Sequence, residues 1–179
     1  VVSAQYEILS RWMHVISQSK KGSGKTAGAV ISTLHHLEPV DGRVSALVVC
    51  NSGEAATLMG KELERFAAYL RPSVKMDVFT GSDGAAESAN QLKHDSPDVV
   101  ICTPGRLQTL VDSGVLNVDD VKRVVIDDAD DVITDYGNRD FLQKMLSTMP
   151  NKPKMIILSS NPTKRIHREA QKIIPGRSH

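Results

Sequence analysis

Lys20-Lys21-Gly22-Ser23-Gly24-Lys25-Thr26 (KKGSGKT) stands between a short apolar run and a helical pattern. Ahead of it, Met13 to Ser17 (MHVIS) reads as a buried strand; behind it, Ala27, Val30, Ile31, Leu34 and Leu37 recur on one helical face. Strand, loop, helix is the setting in which such a loop carries chemistry. Glycines at 22 and 24 let the backbone wrap a polyphosphate, with N–H groups and the positive helix end aimed at the anion. In that arrangement Ser23 contributes a backbone N–H, Lys25 reaches the β- and γ-phosphates, and the Thr26 hydroxyl is a hard oxygen ligand suited to Mg2+. The usual pattern has a further glycine where this chain has Ser19, so a glycine-rich turn capped by a helix stays open as the plainer reading.

Outward from the loop, apolar runs alternate with helical stretches. Val44 to Cys50, Val74 to Phe79, Asp98 to Cys102, Lys122 to Asp127 and Lys154 to Leu158 read as strands. Between them, Ala55, Leu58, Met59, Leu63, Phe66, Ala67 and Leu70 form a helical stripe that Pro72 ends, and Gly81 to Gly84 turn into an Ala-rich helix. Val1 to Arg11 reads as a short helix, and one helix is expected after each later strand. Strands apolar throughout and separated by helices predict an α/β fold, a parallel sheet with helices on both faces. Ligands of such sheets bind beyond the carboxyl ends of the strands.

Those ends are where the polar residues gather. The fifth strand runs into Asp127-Asp128-Ala129-Asp130. A carboxylate at a strand tip near a phosphate loop can hold Mg2+ through water, and a second can orient an attacking water. Taken alone, the same run is equally an acidic helix start favoured by the helix dipole. Thr103-Pro104-Gly105-Arg106 follows the fourth strand, with Thr103 placed to cap a helix and Pro104 at its first position. Gly105 permits close approach and Arg106 adds charge, which suits a nucleic-acid phosphate; a merely well-capped helix is the alternative. Ser159-Ser160-Asn161 follows the sixth strand, within reach of the acidic run.

At 179 residues and a net charge of +1, the chain has the size and composition of one folded domain, and its overall charge carries no signal for nucleic acid. No apolar stretch is long enough to span a membrane, and no secretory leader is apparent. Cys50 and Cys102 lie at strand ends without metal-like spacing and are expected to stay reduced in the core, which fits an intracellular setting. The chain opens at Val1 rather than Met and reads as a piece of something longer.

GSGKT, TPGR, a D-x-x-D box and a Ser-rich tripeptide after the next strand, in this order, resemble the first RecA-like domain of DEAD-box RNA helicases across essentially the whole chain. Ser32 to Val40 and the strand to Cys50, together with Met13-His14-Val15 and Gln18-Ser19-Lys20, are most similar to the DECD-box branch that serves splicing and mRNA export in the TREX complex. The resemblance implies a RecA-like P-loop domain over residues 1–179, without the second RecA-like domain, binding ATP and Mg2+. It implies RNA held by its backbone, mRNA-export or spliceosome proteins as partners, no membrane, a monomeric isolated domain and a nuclear location. By the same likeness Gln5 reads adenine, and Gly81, Thr103, Pro104, Gly105 and Arg106 face RNA. Ser159, Ser160 and Asn161 couple nucleotide state to RNA, and Lys25, Asp127 and Asp128 serve hydrolysis. The isolated lobe is expected to be nearly inactive, since the completing arginines come from the second lobe.

Several residues depart from the family pattern. Asp128 stands where the family has Glu, drawing a water-orienting carboxylate back by about 1 Å, a displacement that can cost ~10²-fold in rate. Ser159-Ser160-Asn161 replaces Ser-Ala-Thr, Ser82 replaces the second glycine of a Gly-Gly pair, and Lys21 replaces a small hydroxyl residue. Cys50-Asn51-Ser52-Gly53-Glu54-Ala55-Ala56 lacks the arginine of the matching family segment. A divergent, poorly hydrolysing paralogue acting as a nucleotide- or partner-binding scaffold is therefore the alternative expectation.

Overall fold

Each apolar run becomes a strand. In the computed structural model, which describes residues 14–18, 20, 22–81, 84–161 and 163–175, β1 (Val15–Gln18), β2 (Ala46–Val49), β3 (Met76–Phe79), β4 (Val99–Cys102), β5 (Arg123–Ile126) and β6 (Lys154–Ser159) form one sheet. All neighbours are parallel, in the order β1-β6-β5-β2-β4-β3. The helices are α1 (Lys25–His35), α2 (Gly53–Ala67), α3 (Ala85–His94), α4 (Pro104–Asp112), α5 (Ala129–Thr134), α6 (Tyr136–Thr148) and α7 (Lys164–Ile173). The expected helix over Val1 to Arg11, with Gln5, lies outside the described residues, as do Ser19, Lys21, Ser82 and Pro162.

Side chains of a strand alternate between faces, so a sheet covered on both sides needs apolar residues at every position. β2 shows this directly. Leu47 and Val49 enter one core with Leu107, Leu110, Ile133, Leu142 and Ile166, while Ala46, Val48 and Cys50 enter another with Val30, Met59 and Leu63. The first core is roofed by α4 to α7, the second by α1 and α2. Cys50 and Cys102 belong to opposite cores, so they form no disulfide, and burial pushes the Cys102 thiol up to about 12.

Three expectations need adjustment. The buried stripe of α2 runs through Ala56, Met59, Gly60, Leu63 and Ala67, which turns Leu58 outward at 57% exposure. Gly60 belongs in that stripe because a Cβ there would lie 2.6 Å from Val78 Cγ2. On α1 the buried face is centred on Ala29, Val30, Thr33 and Leu34, leaving Ala27 and Ile31 at its margin. Between β5 and β6 stand two helices rather than one, because Asp135 ends α5 and its side chain accepts from Asn138 N–H to start α6.

The strand order positions the site. β5 and β6 lie between β1 and β2, so the loops after β1, β6 and β5 are consecutive neighbours along the carboxyl edge. Those after β2, β4 and β3 make up the other half of that edge.

Candidate nucleotide site

The loop after β1 is shaped by backbone that only glycine adopts freely. Gly22 has φ 80° and Gly24 φ 87°, the latter as the N-cap of α1. Gly24 offers no capping side chain and the first turn holds no acid, so the helix start presents N–H groups and positive dipole toward the loop. Lys25 is only 6% exposed and donates from Nζ to the Lys20 carbonyl at 2.9 Å, which closes the loop upon itself. Thr26 sits half-buried one position further along.

Across the cavity stands the tip of β5. Gly22, Gly24, Lys25, Thr26, Asp127, Asp128 and Ser160 line one space of about 480 Å³, with Ala27 and Glu62 at its wall. The two halves expected from sequence therefore meet. Asp127 is held by its backbone N–H to the Val49 carbonyl and accepts from Asp128 N–H at 3.0 Å. Burial, then the neighbouring Asp128 charge, pushes its carboxyl above the ordinary range, while that backbone N–H and the charge of Lys25 pull the other way. A half-buried carboxylate that shares a cavity with a threonine hydroxyl offers hard oxygen of the kind Mg2+ prefers. Asp128 takes up φ 45° and ψ 51°, left-handed backbone that a short polar side chain tolerates better than most.

The loop after β6 is latched to the same acidic turn. Asp130 accepts from Ser159 Oγ at 2.8 Å, Ser160 N–H at 2.8 Å and Asn161 N–H at 3.2 Å, and Ser160 Oγ donates to Asp128 Oδ1 at 3.2 Å. Ser159 is fully buried. Asp130 was not among the candidate residues, yet it is the pivot of the latch; the D-x-x-D spacing, which puts it one helical turn from Asp127, was the available signal. Glu62 was also missed. It comes from the middle of α2, ion-paired with Arg65 at 2.7 Å, and nothing local marks it as a cavity residue.

The other half of the edge differs from expectation. Gly81 is exposed after β3, and Gly105 is exposed after β4 beside a buried Pro104 and a half-buried Thr103. Thr103 occupies the N-cap position of α4 but its side chain makes no capping bond. Arg106, expected to present its charge to a phosphate, is instead 8% exposed and donates from Nη2 to Ser88 Oγ at 3.0 Å, tying α4 to α3. Asn51 after β2 donates to Asp131 Oδ2 at 2.9 Å and so joins this half to α5.

A larger cleft, about 560 Å³, lies at the amino ends of the strands among Arg43, Asn117, Asp120 and Asn151. It has no glycine-rich cradle, and the Arg43–Asp120 pair at 2.9 Å satisfies its main charges. No group of three or more His, Cys, Asp or Glu suited to a metal occurs among the described residues. None of the described helices is long and apolar enough to cross a membrane.

Residues 3–168 match the DEAD/DEAH box helicase family. The chain is 36% identical over 162 residues to the human ATP-dependent RNA helicase DDX39A, a match covering 90% of this chain and 38% of that protein. It is 37% identical over 154 residues to the ATP-dependent RNA helicase SUB2 of Candida glabrata, covering 85% of this chain and 35% of the relative. It thus spans little more than a third of these relatives. Among solved structures, Dbp5 of S. cerevisiae bound to Nup159, Gle1, IP6 and ADP superposes with a TM-score of 0.83 at 20% identity, over 98% of this chain and 46% of that one. A DEAD box protein from the hyperthermophile Methanococcus jannaschii gives 0.79 at 23% identity, over 96% and 46%. Identities this low speak to fold, and the fold is the RecA-like one. The family match takes in all six strands and every loop that lines the cavity, and this chain belongs to the DEAD/DEAH box helicase family.

Proposed function

We propose that this chain is the ATP-binding lobe of an ATP-dependent RNA helicase of the DEAD-box type. The observation that supports this reading most is the single cavity that gathers Gly22, Gly24, Lys25, Thr26, Asp127 and Asp128 from loops far apart in sequence. In it the loop N–H groups and Lys25 bind the β- and γ-phosphates, Thr26 and Asp127 hold Mg2+, and Asp128 orients the attacking water. The metal supplies charge neutralisation on the phosphate oxygens. RNA lies by its backbone across Gly81, Thr103, Pro104 and Gly105, and the latch from Ser159 to Asn161 reports nucleotide state to that surface.

Likeness to DDX39A and SUB2, and the resemblance of Ser32 to Val40 to the DECD-box branch, support a role in mRNA splicing or export, with the nucleus as the location and export or spliceosome proteins as partners. Turnover belongs to the complete protein, in which a second lobe closes over the nucleotide. One observation favours a second reading, a weakly hydrolysing scaffold: among the described residues at the tips of β2, β3 and β4, the lone arginine is the buried Arg106. Phosphate release by the complete protein, with and without single-stranded RNA, separates the two. Turnover raised severalfold or more by RNA fits the helicase, and ATP binding with RNA-independent, slow turnover fits the scaffold.

A further inference from the structure

The acidic tip carries both a loss and a gain. Asp128 is a methylene shorter than the family's Glu, and the residue facing it, Ser160, has a hydroxyl where the family pattern has a methyl. The two substitutions meet: Ser160 Oγ donates to Asp128 Oδ1 at 3.2 Å, and both side chains line the cavity with Lys25 and Thr26.

Ser160 is well placed to control a carboxylate because its own backbone is fixed. Its N–H donates to Asp130 Oδ2 at 2.8 Å, and the flanking Ser159 hydroxyl and Asn161 N–H bond to the same carboxylate. Asp128 is constrained too, held in left-handed backbone at the N-cap of α5 without a capping bond from its side chain. A carboxylate on such a turn has few anchors, and among the described residues Ser160 is the one that donates to it. A bond of this length tightens when a substrate orders the site.

We propose that Ser160 is a positioning residue for hydrolysis: its hydroxyl holds Asp128 Oδ1, which leaves Oδ2 to orient the attacking water and offsets the shortened reach. The inference rests on the nucleotide reading above and adds a specific partner for Asp128. A Glu at 128 carries its carboxylate past the hydroxyl and has no need of it. The dependence on Ser160 is therefore specific to the aspartate.

The test uses the complete protein with single-stranded RNA, measuring kcat and KM for ATP together with calorimetric ATP affinity. Ser160→Ala should lower kcat about tenfold at unchanged KM and affinity, the loss of one oriented hydrogen bond. Ser160→Thr, which keeps the hydroxyl, should stay within about twofold of the parent, and in an Asp128→Glu background Ser160→Ala should change kcat by less than about twofold. Unchanged kcat in Ser160→Ala, or an equal loss in both backgrounds, overturns the proposal, as does a parent protein that binds ATP and never turns over. Failure to bind ATP at all would instead sink the nucleotide reading itself.

Discussion

The carboxyl edge of this sheet has two halves that differ in how they treat charge. Behind β1, β6 and β5, charged groups line a common space: the buried Lys25 on one side and the half-buried Asp127 and Asp128 on the other. Behind β2, β4 and β3, the lone arginine among the described residues, Arg106, is withdrawn into a bond with Ser88. Burying a charge costs free energy unless it is compensated. In the first half the Lys20 carbonyl, the Asp128 N–H and the Ser160 hydroxyl offset part of that cost for Lys25, Asp127 and Asp128, whereas in the second half the arginine is bonded away from the edge. Different strands carry the two halves, so either can diverge without the other.

Breaking the first half should give the largest effect. Lys25→Ala removes the cation that the loop fixes, and Mg2+-ATP affinity should fall about 10- to 100-fold by calorimetry, the span expected for a charge-assisted bond. Unchanged affinity would place the phosphates elsewhere. Asp128→Glu in the complete protein should raise RNA-stimulated turnover about tenfold by restoring the reach of the carboxylate. Equal or lower phosphate release would deny Asp128 its role.

Rebuilding the second half should give a smaller gain. Gly53→Arg at the first position of α2 places a Cβ 3.4 Å from Thr80 Cβ, a contact the site can accept. Affinity of the complete protein for single-stranded RNA should rise about threefold to tenfold, with a salt dependence steeper by about one phosphate contact. An unaltered salt slope would show that this edge does not meet RNA.

The smallest effect is on stability. The folded-state carboxyl of Asp127 titrates above its unfolded value, so its favourable contribution is complete below the unfolded pKa and is lost as pH rises through the folded one. At pH 7 the ionised group is a burden, and Asp127→Asn should raise Tm by a few degrees while weakening Mg2+-dependent ATP binding. The gain should vanish in acid, where both side chains are neutral. A Tm lowered at pH 7 would contradict the burial argument.

Much of this was legible in the residues. Every strand announced itself as an apolar run because both faces of the sheet are covered, and the turn after β1 declared itself by glycine spacing. The carboxylates at the tip of β5 were legible because ligands sit at strand ends. What escaped depended on partners distant in sequence. The inward turn of Arg106 follows from Ser88 on another helix, Asn51 is fixed by Asp131, and Glu62 reaches the cavity from the middle of α2. The stripe of α2 was misphased at Leu58 because apolarity alone does not reveal that Gly60 must pass beneath Val78. Asp135 carried a capping signal that splits the helices after β5, and it was masked by the helical residues on both sides.

Titrating Mg2+-ATP into this chain while following its backbone amides by NMR tests the central claim most directly. Gly22 to Ala27, Asp127, Asp128 and Ser160 should shift with nucleotide, while Arg43 and Asp120 at the opposite end of the sheet stay still. Shifts gathered instead around Arg43 and Asp120, or none at saturating nucleotide, would contradict it.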